Sequence, residues 1–292
     1  MITARVIESY GTHGVIEWAG ALYDCHWRRG AGRPVCGDRV ELRGAPGQEE
    51  AVVERLLERR SVFKRADRRL APQIIAANVE QAVIVVAPEP PPSAYAVDRY
   101  LLAVSVLGLT PLLVCNKADL MSGAALVDMT RYRAFNLVCH ATIARPAAPG
   151  YGTGIEDLGR SLNGKTSILV GQSGVGKSSL LNALLPGRAA STAELSAATG
   201  KGRHTTSCAR WYALPASGAV IDSPGVWEYG LWRMPATEVR RGFPEFATVP
   251  PCRFRDCRHL DEPGCAVAAA AAGGTIHPER YAAYRQIVQG VS

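Results

Sequence analysis

The chain has 292 residues, which suits two or three domains better than one. Hydrophobic residues make up 47% and charged residues 20%, a globular mix that excludes disorder and coiled coil. The formal net charge of +7 is compatible with a polyanionic partner such as nucleic acid.

The first 58 or so residues predict five short strands: Thr3–Glu8, His13–Trp18, Leu22–Trp27, Asp38–Arg43 and Ala51–Leu57. Glycines and prolines punctuate them, so a small closed barrel is expected, either an OB-type barrel or an SH3-like one. Between Arg55 and Arg69 the net charge is +5, and arginine dominates, since the whole chain has only five lysines. Arginine's planar fork suits phosphate oxygens and base faces, which makes Arg59, Arg60 and Arg65 candidate RNA contacts.

From Gln81 the rhythm changes. Ala82–Ala87 is a continuous apolar strand, as a sheet covered on both faces requires. A helix over Tyr95–Leu107, a buried strand Thr110–Cys115, a helix near Gly123–Phe135 and a strand near Leu137–Cys139 follow. A further helix through Leu162 leads to strand Thr166–Val170. This alternation predicts a parallel, doubly wound α/β layer. After Trp232 comes an irregular Cys/His-bearing segment with short flanking helices, one of them the alanine-rich Ala266–Ala272 before Gly273 and Gly274. The expected division is residues 1–70, 71–232 and 233–292.

Gly171, Gln172, Ser173, Gly174, Val175, Gly176, Lys177 and Ser178 match the phosphate-loop pattern, and Ser179 opens the apolar helix behind it. The glycines let backbone N–H groups and a helix N-terminus face phosphates. Lys177 would supply charge to the β/γ oxygens, and the Ser178 hydroxyl would bind Mg²⁺. Asp222-Ser-Pro-Gly225, 45 residues after the lysine at a strand end, would place Asp222 near that metal and the Gly225 amide near the γ-phosphate. Asn116, Lys117, Ala118 and Asp119 fit a guanine-reading N-K-x-D. Its aspartate can accept from N1–H and the 2-amino group together, a pair adenine lacks. This motif precedes Gly171 by 55 residues, the reverse of the ordinary order, so circular permutation is expected.

Cys252, Cys257, His259 and Cys265 lie within 14 residues and form a donor set suited to one structural Zn²⁺. Arg253, Arg255 and Arg258 are interleaved with them, beside Phe254, and are candidate RNA contacts. The connection Pro186–Thr206 is polar and rich in Gly, Ala and Thr. One of Thr205 and Thr206 would complete the Mg²⁺ shell. After Gly225 come Val226 and Trp227, neither able to orient water as a glutamine does, and His204 is the candidate catalytic group.

The reversed order, the phosphate loop, Gly202-Arg-His-Thr-Thr206, Asp222–Gly225, the Cys/His cluster and Gln73–Val79 together resemble the RsgA (YjeQ) family over nearly the full chain. The resemblance implies an OB-fold, a permuted G domain and a zinc domain in a GTPase of small-ribosomal-subunit biogenesis. It favours Thr205 for Mg²⁺, points to His204, and places Cys139–Thr142 where the family usually has a base-bracing Ser-Ala pair, with His140 at the serine. Expected partners are the small subunit, its rRNA and GTP/GDP, without membrane or DNA, for a monomer. A competing reading is a non-catalytic RNA-binding scaffold that uses GTP only as a conformational ligand. No apolar run nears the ~18 residues of a membrane span, and Met1–Glu8 has no signal-like core. A cytoplasmic setting is therefore expected, with the eight cysteines as thiols or metal ligands.

Overall fold

A computed structural model describes residues 2–44, 46, 51–67, 69–123, 125–185, 208–223 and 230–291. Strands β1 (Ile2–Ser9), β2 (His13–Trp18), β3 (Ala21–Trp27), β4 (Arg39–Arg43) and β5 (Ala51–Leu56) close a barrel in the order β1-β2-β3-β5-β4. All pairs are antiparallel except β3 with β5. That Greek-key closure is OB-like and decides between the two barrel types the sequence left open. Alternate residues such as Val6, Ile16, Val40 and Val53 fill the interior.

A hairpin of β6 (Val62–Ala66) and β7 (Pro72–Ala77) leaves the barrel. The expected division at 70/71 falls in the turn of this hairpin. Its second strand stays tied to the barrel, since the Ala77 amide donates to the Cys36 carbonyl at 2.9 Å.

The main sheet has six strands in the order β10-β9-β8-β11-β13-β12. These are β8 (Gln81–Val86), β9 (Thr110–Asn116), β10 (Val138–Thr142), β11 (Thr166–Val170), β12 (Arg210–Ala213) and β13 (Ala219–Asp222). Neighbours are parallel except at the β12–β13 edge. Every residue of β8 is buried, as expected of a strand covered on both faces. Val83, Val85, Leu169 and Val220 meet helices α2 (Ile155–Leu162) and α3 (Lys177–Leu184) on one face. Ala82, Ile84, Val86, Ile168 and Ile221 face α1 (Ala96–Leu107) on the other.

The helix expected near Gly123–Phe135 is instead a pair of 3₁₀ turns over Met129–Phe135. The Asp128 side chain accepts from the Thr130 amide there, a local bond that competes with regular helix.

The C-terminal segment contributes α4 (Ala236–Val239), 3₁₀ turns at Arg240–Gly242 and Pro244–Thr248, α5 (Ala266–Ala272) and α6 (Pro278–Val291). It shares one continuous core with the α1 face of the sheet, through Phe243, Phe246, Tyr284, Ile287 and Val288. Arg280 of α6 is fully buried in that junction. It donates to Asp98 of α1 and to Glu245, each at 2.7 Å, and to the Gly242 carbonyl at 2.7 Å. Its guanidinium also lies 4.2 Å from the Phe243 ring centroid. The barrel touches the far edge of the sheet, where Arg5 stacks 4.4 Å over Trp211 and Arg210 pairs with Glu8 at 2.9 Å.

Candidate functional site

Parallel strands all end on the same side of the sheet, so the loops that follow β8, β9, β10 and β11 gather at one edge. The loop expected to hold phosphates leaves β11, and the loop expected to read the base leaves β9, one strand on either side of β8. The reversed chain order is therefore no obstacle, because only the positions of the strand ends matter.

The two loops touch. Asn116 Nδ2 donates to the Val175 carbonyl at 2.9 Å, and Asn116 Oδ1 accepts from Thr142 Oγ1 of β10 at 3.0 Å. Asn116 is buried, so both halves of its amide are satisfied inside the wall of the site. Gly176 sits at φ +94°, and a Cβ there would lie 2.4 Å from Asn116 Nδ2. Glycine is required at this point both for the left-handed backbone and for the approach of the asparagine.

Lys177 opens α3 and folds over its own loop, donating to the carbonyls of Gly171 at 2.7 Å and Gln172 at 2.9 Å. Burial pushes its ammonium below the ordinary lysine range, while the Asp222 carboxylate opposes that shift. Asp222 is buried at the end of β13, so it and Lys177 belong to the same pocket electrostatically. Ser178 is exposed on the first turn of α3 and Ser179 half-buried beside it. Hydroxyl and carboxylate oxygens are donors that suit Mg²⁺. Ser173 and Gly174 complete the loop, with Gly174 against Pro90 of the segment after β8.

Lys117, at φ +58°, caps the 3₁₀ turn Ala118–Leu120 and donates to the Glu89 carbonyl. Asp119 lies within that turn. Its Oδ2 accepts from Arg145 Nη2 at 3.1 Å, whereas its buried Oδ1 has no hydrogen-bond partner. Arg145 contacts Asp119 although nothing in the sequence singled it out, while Thr142, the last residue of the Cys139–Thr142 stretch, bonds Asn116. Residues Cys139–Thr142 lie within β10 rather than in a loop over the base, and His140 Nε2 faces Ser161 Oγ of α2 at 2.8 Å. No local pattern marks Arg145, because 26 residues and a strand separate it from Asp119.

His204, Thr205, Thr206, Gly225, Val226 and Trp227 lie outside the described residues.

The four expected zinc ligands converge, with their donor atoms all within 4.8 Å of one another. His259 Nδ1 is 3.5 Å from Cys252 Sγ, 3.4 Å from Cys257 Sγ and 3.5 Å from Cys265 Sγ. A tetrahedral site with Zn–S about 2.3 Å and Zn–N about 2.0–2.1 Å has S···N edges of roughly 3.5 Å and S···S edges of roughly 3.8 Å. The Cys252–Cys265 sulfur separation is 4.0 Å. The donor set fits one Zn²⁺. The Ala266 and Ala268 amides donate to Cys252 and Cys265 sulfurs at 3.3 and 3.4 Å, and Glu262 holds the Arg258 and Leu260 amides at 2.9 Å each. These bonds orient the ligand loop from outside.

The candidate RNA contacts divide. Arg59 is a bidentate partner of fully buried Asp38, with both bonds at 2.7 Å, so its charge is neutralised within the barrel. Arg60 is exposed and Arg65 half-buried. Arg253, Arg255 and Arg258 are all exposed, and Arg253 lies 5.5 Å from the centroid of the exposed Phe254 ring. Phe254 and Arg255 border a cavity of about 590 Å³ that reaches Arg240, Arg241 and Phe246.

The RsgA GTPase family model matches residues 56–232. The chain is 42% identical to the small ribosomal subunit biogenesis GTPase RsgA of Pseudomonas aeruginosa (strain LESB58), over 98% of this chain and 84% of that one. It is 44% identical to the protein of the same name from Azotobacter vinelandii (strain DJ / ATCC BAA-1303), over 93% and 79%. Among solved structures, YjeQ from Thermotoga maritima superposes with a TM-score of 0.74 at 29% identity, covering 99% of this chain and 98% of that chain. YloQ, a circularly permuted GTPase, superposes with a TM-score of 0.72 at 25% identity, covering 100% and 95%. An N-K-x-D sequence that comes first in the chain yet touches the G-x-x-x-x-G-K-S loop in space, together with this match across barrel, sheet and Cys/His segment, places the chain in the RsgA GTPase family.

Proposed function

We propose that the protein binds the small ribosomal subunit through rRNA late in subunit maturation and hydrolyses GTP to GDP and phosphate, release being coupled to hydrolysis. The observation that carries this reading is the bond from Asn116 to the Val175 carbonyl, which joins a guanine-type loop to a phosphate-type loop in one site. Asp119 would read the guanine edge, Asn116 and Lys117 would shape its pocket, and the loop from Gly171 to Ser179 would hold the phosphates. Ser178, Asp222 and Thr205 would hold Mg²⁺, which when bound offsets charge on the phosphate oxygens. His204 would position the attacking water, and Gly225 would offer its amide to the γ-phosphate.

Residues 1–70 and 233–292 would grip RNA on either side of the nucleotide site in the GTPase unit 71–232. Gripping at two places raises effective affinity without sequence readout. Arg60, Arg65, Arg253, Arg255 and Arg258 would face phosphates, and the zinc-type cluster would keep the last three in place. Among the described residues no helix is long and apolar enough to cross a membrane. The relatives' naming after the small ribosomal subunit supports a cytoplasmic setting, and we infer a monomer that binds neither DNA nor membrane.

Phosphate release with and without purified small subunits tests the reading. Subunits should raise wild-type turnover, and His204→Ala should lower the stimulated rate by about 10²-fold or more with GTP affinity unchanged. Turnover that subunits leave untouched would favour the scaffold reading, and an undiminished rate in the variant would remove His204 from the mechanism.

A further inference from the structure

Asp119 is largely buried while its partner is exposed. The aspartate side chain is 9% exposed, and the 3₁₀ turn that carries it starts from the anchored Lys117. Arg145 is 56% exposed at the side chain. Its backbone is nevertheless ordered: the Ile143 amide donates to the Thr153 carbonyl at 3.1 Å, the Gly152 amide to the Ile143 carbonyl at 2.9 Å, and the Ala148 amide to the Arg145 carbonyl at 2.9 Å. The loop is therefore pinned at its base, and only the arginine side chain needs to turn for the pair to open.

The chemistry of the partner is telling. Guanine offers N1–H and the 2-amino N–H from either side of one amidine carbon, a paired donor edge for the two oxygens of a carboxylate. A guanidinium offers the same motif, two N–H groups on one planar carbon. Arg145 uses one such nitrogen on Oδ2, the oxygen that a guanine edge needs alongside the unpartnered Oδ1.

We propose that Arg145 is an internal mimic of the guanine edge, which competes with the base for Asp119 and so sets nucleotide affinity and release. This rests on the reading of Asp119 as the guanine reader. The contact to an exposed side chain is weak, so the arginine yields to the base and does not block it. When the base lifts away, the guanidinium recaptures the carboxylate before guanine returns. The device speeds release of GDP at a small cost in affinity.

The test is a double-mutant cycle with labelled nucleoside diphosphates, measuring Kd and dissociation rate at low and high salt. Arg145→Ala should tighten GDP binding by up to about fivefold and slow its release, the size expected of an exposed ion pair. That gain should shrink as salt screens the pair in the wild type. Asp119→Asn should move preference from GDP to xanthosine diphosphate. In that background Arg145→Ala should leave xanthosine diphosphate affinity unchanged, because the carboxylate it competes for is gone. GDP binding that is unchanged or weaker in Arg145→Ala would overturn the proposal, as would an equal gain in both backgrounds. Failure of Asp119→Asn to change base preference would instead overturn the reading of Asp119 itself.

Discussion

Arg280 offers a stability prediction that can be worked from contacts. In Arg280→Met the apolar stem is retained, but three bonds of 2.7 Å vanish at once, to Asp98, Glu245 and the Gly242 carbonyl. The three acceptors do not suffer equally. Asp98 keeps the Tyr132 hydroxyl at 3.0 Å and Arg131 at 3.2 Å, and Glu245 is 15% exposed at the side chain and can regain water. The loss is therefore less than the sum of three charged bonds, and falls near the figure for removing one partner of a buried pair, about 3–5 kcal/mol. With an unfolding entropy of about 2.1 cal/mol/K per residue over the chain, that is a fall in Tm of roughly 5–8 °C. Thermal and urea melts of Arg280→Met, Asp98→Asn and the double variant measure it. The double should cost less than the two singles combined by about 1 kcal/mol or more, since the second change removes a buried charge that the first left only partly compensated. A single-variant cost under about 1 kcal/mol, or strict additivity, would refute a buried charge at this junction.

Two further outcomes follow from the site. Gly176→Ala should weaken nucleotide binding by about tenfold or more and also lower Tm, because the new methyl meets Asn116 Nδ2 and the backbone is left-handed; titration with labelled GDP and a thermal melt check it. Chelation, or Cys257→Ser, should take zinc from one per chain to none by atomic absorption and lower the melting temperature, because a short polar ligand loop that holds a metal gains folding energy from it. An unchanged melt in metal-depleted protein would show that the cluster folds without it.

Motif chemistry was readable from the chain because it depends on short spacings. The phosphate loop, N-K-x-D and the Cys/His set each fit within 14 residues, and the structure brings the first two together and closes the third. Strand β8 was equally legible, since full burial leaves a continuous apolar run. Barrel type was not, because strand order is a property of long-range pairing that five alternating segments do not encode. Arg145 escaped for the same reason: its relation to Asp119 exists only once β9 and β10 lie side by side. Arg59 has a partner that depends on the fold in the same way. A basic run reads as a surface, yet buried Asp38, 21 residues away, draws that fork inward.

The edge hairpin of β12 and β13 has a mechanical implication. Arg210, which grips Glu8 of the barrel, lies directly across the ladder from Asp222. One inter-strand step, about 4.7–4.9 Å, separates a barrel anchor from Asp222, the carboxylate proposed to hold Mg²⁺. A twist applied to the barrel by anything it holds reaches that carboxylate through a single rung of peptide hydrogen bonds, with no tether between to absorb it.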